Sequence, residues 1–299
     1  IIIAVQGIII VAINSPKKKF LPGTCIFAKA YAASADTNSC AAVVDSLIGL
    51  TGTPTVLARW AAALFFTLEI YFDFSGYSDM AIGLSGVFGF RIPENFIYPF
   101  ISRNATEFWH RWHISLSTWF KDYLFYPVMR SRVIRSLTKK LSGSGHKKAA
   151  RTVPTVIALF IVWSMTGLWH GPCWNYILWG LYFGLWLMLE KLFLLKLNEK
   201  LPSILRWLFT LYVFIVSWVI FRVEDMQALL GFLHRMFVYA PADLSRIAYE
   251  QPDAVYALCY MPLAFLASLP AFNKLYRRYF AQSQRLAGVI ADLMFVIIL

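Results

Sequence analysis

The chain has 299 residues, 59% of them hydrophobic and 17% aromatic, with a mean hydropathy of +0.59. Apolar content this far above the roughly 45–50% of soluble domains excludes an ordinary water-soluble fold. A formal charge of +12 suggests nucleic acid at first sight, but the basic residues fall in short stretches between apolar runs and make no basic face, so no nucleic acid is expected as a partner. What remains is an all-α polytopic membrane protein with the lipid bilayer as its solvent, its 11 Trp and 25 Phe filling gaps between helices and lining the interfaces.

The chain starts Ile1-Ile-Ile-Ala-Val and stops at Phe295-Val-Ile-Ile-Leu299, inside apolar runs at both ends. The expectation is one membrane-embedded domain over 1–299, part of a longer protein with further spans ahead of it and without a secretory signal. Cys25, Cys40, Cys173 and Cys259 are scattered, with no metal-ligand spacing, and read as small apolar residues.

In chain order, Ile1 to Ile13 reads as a partial span, and Leu21 to Leu50 has no clear period. Val56 to Phe74 is long enough to cross a bilayer core, for which about 20 residues suffice. It carries Glu69 and Asp73 one helical turn apart. These acids fit either a proton-relay pair or a hydrogen-bonded structural pair, and Asp79 adds a third acid in a stretch without Lys or Arg. Ala81, Ser85 and Gly89 make a small-xxx-small seam at which another helix is expected to approach.

Arg91 to Ser102 is irregular because of its two prolines. Asn104 is placed to cap a helix, with Glu107 completing a capping-box pattern. At about 100° per residue, Phe108, Trp112, Leu116, Trp119 and Tyr123 form one stripe of a continuous helix. Arg111, Ser115, Thr118 and Asp122 form a polar stripe beside it. His113 falls on a third row with His110, Ser117, Phe120 and Leu124, away from the charged stripe, and is expected to be enclosed by protein.

Arg130 to Arg151 holds eight Lys or Arg and no acid, with Ser-Gly-Ser-Gly at 142–145, and reads as a flexible loop, cytoplasmic by the positive-inside rule. Three spans follow, Val153–Trp169, Tyr176–Leu189 and Trp207–Phe221. Met226 to Tyr239 reads as an interfacial or re-entrant helix, and Val255 to Phe272 as a last span returning to a basic segment. The basic segments after residue 130 agree on which side is cytoplasmic.

His170 draws attention because ionisable groups within spans are costly and tend to mark function. Two readings stand: a histidine hydrogen-bonded inside a helix bundle, or a general base. Low dielectric disfavours an imidazolium, so a buried histidine can accept a proton from a hydroxyl. Gly171-Pro172 breaks the helix just after it, which can open a cavity. His110 and His113 supply only two nitrogens and no acid at a useful spacing, which argues against a metal. Cys173 reads as a small filler rather than a nucleophile.

Four stretches together resemble the membrane-bound O-acyltransferase family, nearest its alginate O-acetylation branch. They are Phe72-Asp-Phe-Ser-Gly-Tyr-Ser-Asp-Met-Ala-Ile-Gly83, Arg91-Ile-Pro-Glu-Asn-Phe96, Glu107-Phe-Trp-His-Arg-Trp-His-Ile-Ser-Leu-Ser117 and Gly167-Leu-Trp-His-Gly171. The resemblance covers roughly 40–299; 14–39 match poorly, and His110 stands where Arg or Lys is usual. It implies a helix bundle around a central funnel, with His170 as the catalytic histidine and His113 as the second histidine of a buried site. Trp112, Ser117, Trp169 and Asn175 are expected to position substrate. It further implies no bound cofactor, and acetyl-CoA or another acyl thioester as donor from the cytoplasmic side. The acceptor would be an extracytoplasmic polysaccharide hydroxyl, served with an extracytoplasmic acetyltransferase partner. D-alanyl transfer to teichoic acid is the near alternative. A proton-coupled transporter using Glu69 and Asp73 is the alternative of another class.

Overall fold

A computed structural model describes residue 44, residues 56–238, and residues 262, 265–266 and 268–271. Among the described residues every regular element is helical. They belong to two compact units, one holding residue 44, 68–94 and the described residues beyond 243, the other 56–67 and 95–238. The expected partial span at 1–13, the segment 21–50 apart from Val44, and most of the span at 255–272 lie outside the described residues.

Helix α1 runs Val56–Val87, so the apolar run and the Gly-rich stretch after it form one element. Gly89 lies beyond its end at φ +80, and a Cβ there would meet nothing within 4 Å. Among the described residues no close approach uses Gly89. Asp73 is exposed, while Glu69 and Asp79 are half-buried.

The second unit carries the remaining helices. Helix α2, Ala105–Trp109, begins as predicted, with the Asn104 side chain accepting the Glu107 N–H at 2.7 Å. Glu107 reaches back to the Arg103 N–H rather than to that of the cap residue itself. The continuous helix expected from the stripes does not form. It breaks at His110–His113, and α3 starts again at Ile114, running to Phe120 and through a π-helical turn into Tyr126–Arg130. The break is held by tertiary bonds, Ile97 N–H to Arg111 O and Ile114 N–H to Asn95 O, which a helical period cannot reveal.

The basic run is likewise not a flexible loop. Arg132–Gly143 is helix α4, capped by the Ser131 hydroxyl and seated through buried Ile134, with Arg132, Arg135, Lys139 and Lys140 exposed. No Gly or Pro interrupts 132–142, so nothing prevents the helix, and the turn is confined to the residues just after it.

Among the described residues three helices are long and apolar enough to cross a membrane: α5 over Lys147–His170, α6 over Trp174–Asn198, and α7 over Ser203–Arg222. Helix α6 contains a π-helical turn at Glu190–Leu194. These are the three spans read from the sequence between 153 and 221. Their outward faces carry exposed Phe160, Leu168, Leu185, Phe193 and Leu208, as suits lipid rather than water. Helix α8, Met226–Phe237, completes the described unit.

What brings α5 and α6 together is the absence of side chains. A Cβ on Gly167 would stand 2.5 Å from Tyr176 O, and one on Gly180 would stand 2.4 Å from Trp163 O. With no hydrophobic drive between apolar helices in lipid, such close backbone contact supplies the packing. It lies one turn before His170.

Candidate functional site

His170 is the last residue of α5, at the end opposite the basic start of that helix. Gly171, at φ +150, stops the helix as expected, and a Cβ there would press on the Tyr176 ring. The His170 ring is half-buried among aromatics: Trp169 and Trp179 stand edge-on with centroids at 4.9 Å, and Phe221 stands edge-on at 5.3 Å. No hydrogen bond to either ring nitrogen is found among the described residues.

His113 arrives from another direction. It sits at the start of α3 with φ 46 and ψ 54, in the left-handed region that costs a non-glycine residue roughly 1–2 kcal/mol. Asn95 holds it there. Its Oδ1 accepts from the Ser115 N–H at 3.0 Å and the Ser115 hydroxyl at 2.9 Å, and lies 3.4 Å from His113 Nδ1. The Ser115 hydroxyl stands at the same distance from Nδ1, so both oxygens face that ring nitrogen. Burial, and less strongly the neighbouring His170, push the His113 imidazole down to about 4. The two histidines are therefore brought within electrostatic reach of each other, with the Trp169 ring 6.5 Å from His113. His113 is half-buried, so its enclosure is partial.

The other predicted residues divide. Trp169 is 57% exposed and touches both histidines. Ser117 is half-buried and donates its N–H to His113 O at 3.0 Å. Trp112 is instead core, 3% exposed, stacked on Phe108 and packed on Trp218. Asn175 is fully buried, and its Nδ2 donates to Phe221 O at 2.9 Å, tying the start of α6 to the end of α7. Both support the walls and offer no exposed face to a substrate. His110 is exposed, and so is Cys173, which is therefore no core filler. A small cleft elsewhere, lined by Ala105, Trp186, Glu190, Phe209, Thr210 and Val213, includes neither histidine.

Two residues at the site escaped sequence reasoning. Asn95 gives no signal, being one polar residue in a Pro-rich irregular stretch. Glu190 lies one residue beyond the span read from the sequence, Tyr176–Leu189, and beside Lys191, so it reads as part of a basic flank, yet it is 5% exposed.

Comparison with known proteins identifies the family. Residues 51–223 match the model of the membrane-bound O-acyltransferase family. The chain is 39% identical over 229 residues to the probable alginate O-acetylase AlgI of Pseudomonas putida, covering 75% of this chain and 44% of that protein. It is 34% identical over 200 residues to a peptidoglycan O-acetyltransferase of Helicobacter pylori (66% and 35% covered). With a teichoic acid D-alanyltransferase of Bacillus subtilis it shares 40% over 141 residues (46% and 33% covered). The chain spans less than half the length of these curated relatives. With the family model matching more than half its residues, the chain belongs to the membrane-bound O-acyltransferase family.

Proposed function

We propose that this chain carries the histidine site of a membrane O-acetyltransferase. It moves an acetyl group from a cytoplasmic thioester, such as acetyl-CoA, to a hydroxyl of an extracytoplasmic polysaccharide, directly or through an extracytoplasmic acetyltransferase partner. The observation that supports this most is the Trp169 ring standing against both His170 and His113, at 4.9 Å and 6.5 Å between centroids.

In this reading His170 takes the proton of the acceptor hydroxyl as its oxygen attacks the thioester carbonyl. The tetrahedral intermediate collapses, the carbon–sulfur bond breaks, and the thiolate leaves with a proton returned from the imidazolium. His113, with Nδ1 facing Asn95, orients the acceptor or donor, and Trp169 and Ser117 line the approach. Trp112 and Asn175 hold the walls. Helix α4 and its basic residues lie on the cytoplasmic side of the cell membrane, as the positive-inside rule requires. The longer match to alginate O-acetylases than to D-alanyltransferases favours acetyl as the group moved.

The test uses the full-length protein in proteoliposomes, with radiolabelled acetyl-CoA outside the face carrying α4 and a polysaccharide acceptor within. Label on the acceptor supports the reading. Label that never leaves acetyl-CoA, together with solute-driven proton flux, replaces it with transport.

A further inference from the structure

Glu190 is a carboxylate on a span, 5% exposed, and among the described residues no cation pairs with it. Burying an unpaired charge is costly unless hydrogen bonds replace its water. Three such bonds do so here, all from the first turn of α2. Glu190 Oε1 accepts the Ala105 N–H at 2.6 Å, and Oε2 accepts the Thr106 N–H at 3.0 Å and the Thr106 hydroxyl at 2.7 Å. Asn104 already takes the Glu107 N–H, so together the two side chains satisfy the donors that open this helix.

The backbone of α6 is shaped for this contact. Glu190 is where the helix widens into a π-helical turn, a feature frequent at functional sites. Helix α2 itself is only five residues long, too short to hold itself. Its end leads through Trp109, wedged against Trp163 and Phe183, and Trp112, packed on Trp218, to His113. A left-handed histidine persists only where its surroundings over-determine it. Asn95 fixes the segment at the histidine, and Glu190 fixes it at the opposite end.

We propose that Glu190 is a positioning residue for acyl transfer: by clasping the start of α2 it sets the short aromatic segment that places His113 beside His170. This rests on the proposed function above. The carboxylate touches no reacting atom and acts only through the placement of His113.

The test compares wild type, Glu190→Gln and His113→Ala in the full-length protein. Turnover and KM are measured with acetyl-CoA, and the reactivity of individual histidines with diethyl pyrocarbonate is read by peptide mass spectrometry. Gln keeps the size but presents a donor where a backbone N–H needs an acceptor. The expected result is a tenfold or greater fall in kcat with KM for acetyl-CoA within twofold. His113 modification should change fivefold or more, while exposed His146 is unaffected. Unchanged His113 reactivity, or an equal change at every histidine, overturns the clasp. Should Glu190→Gln fail to accumulate, Thr106→Val carries the test, since it removes one bond of three and must shift His113 reactivity at least twofold. If His113→Ala keeps full turnover, the reading of the site fails instead; if that variant is inactive while Glu190→Gln behaves as wild type, only the clasp fails.

Discussion

His113 and His170, far apart in the chain, are joined by the Trp169 ring, which stands 6.5 Å from the first and 4.9 Å from the second between centroids. One histidine ends a membrane helix, and the other is turned inward by a left-handed backbone. The site depends on both devices, and the predictions below probe them separately.

The first concerns protonation. His113 takes its proton near 6.5 when unfolded and at about 4 when folded, because burial penalises the imidazolium. Between those values the unfolded chain binds more protons, so stability rises with pH through that window and is lost as pH falls through it. Melting of the full-length protein in detergent should drop from pH 6.5 to pH 4, and His113→Gln should flatten part of that slope. An identical slope in the variant contradicts the assignment.

A second prediction addresses the hinge that holds the histidine. Asn95→Ala removes the acceptor for two Ser115 donors, at about 1 kcal/mol each. The melting temperature should fall accordingly and acyl transfer with it, whereas Asn95→Asp, which keeps the acceptor, should recover most of the stability. Equal damage by both substitutions refutes the acceptor role.

Helix approach gives the third. Gly180→Ala places a methyl 2.4 Å from Trp163 O, where only backbone can yield, and should destabilise by about 1–3 kcal/mol. Gly231→Ala, on a helix with nothing within 4 Å, should be neutral or stabilising by up to about 1 kcal/mol. Unfolding midpoints of the two variants in one detergent decide it, and a tolerated Gly180→Ala removes close backbone contact as the reason α5 and α6 pack.

Much of this architecture was legible beforehand, for physical reasons. The spans α5, α6 and α7 announce themselves because lipid demands long apolar runs with internally satisfied backbone. Asn104 and Glu107 mark a helix start because capping is local chemistry. The break at His113 was hidden, since Phe108, Trp112 and Leu116 keep a helical period across it while distant Asn95 and Ile97 impose the turn. The basic run read as a loop because charge and Ser-Gly spacing outweighed the single buried contact of Ile134 that seats it as helix. Gly167 and Gly180 face each other only once two helices are folded, so neither residue alone signals the contact. Glu190 was hidden because it falls just past the expected end of a span and its partners lie on a different helix.

The central claim is that His170 acts as the general base. The most direct measurement is transfer of radiolabelled acetyl from acetyl-CoA by the full-length protein carrying His170→Ala, alongside its melting curve. With His170 as the base, turnover should fall roughly 10²–10⁴-fold or more while the melt stays near wild type. Turnover equal to wild type from a folded His170→Ala protein would contradict it.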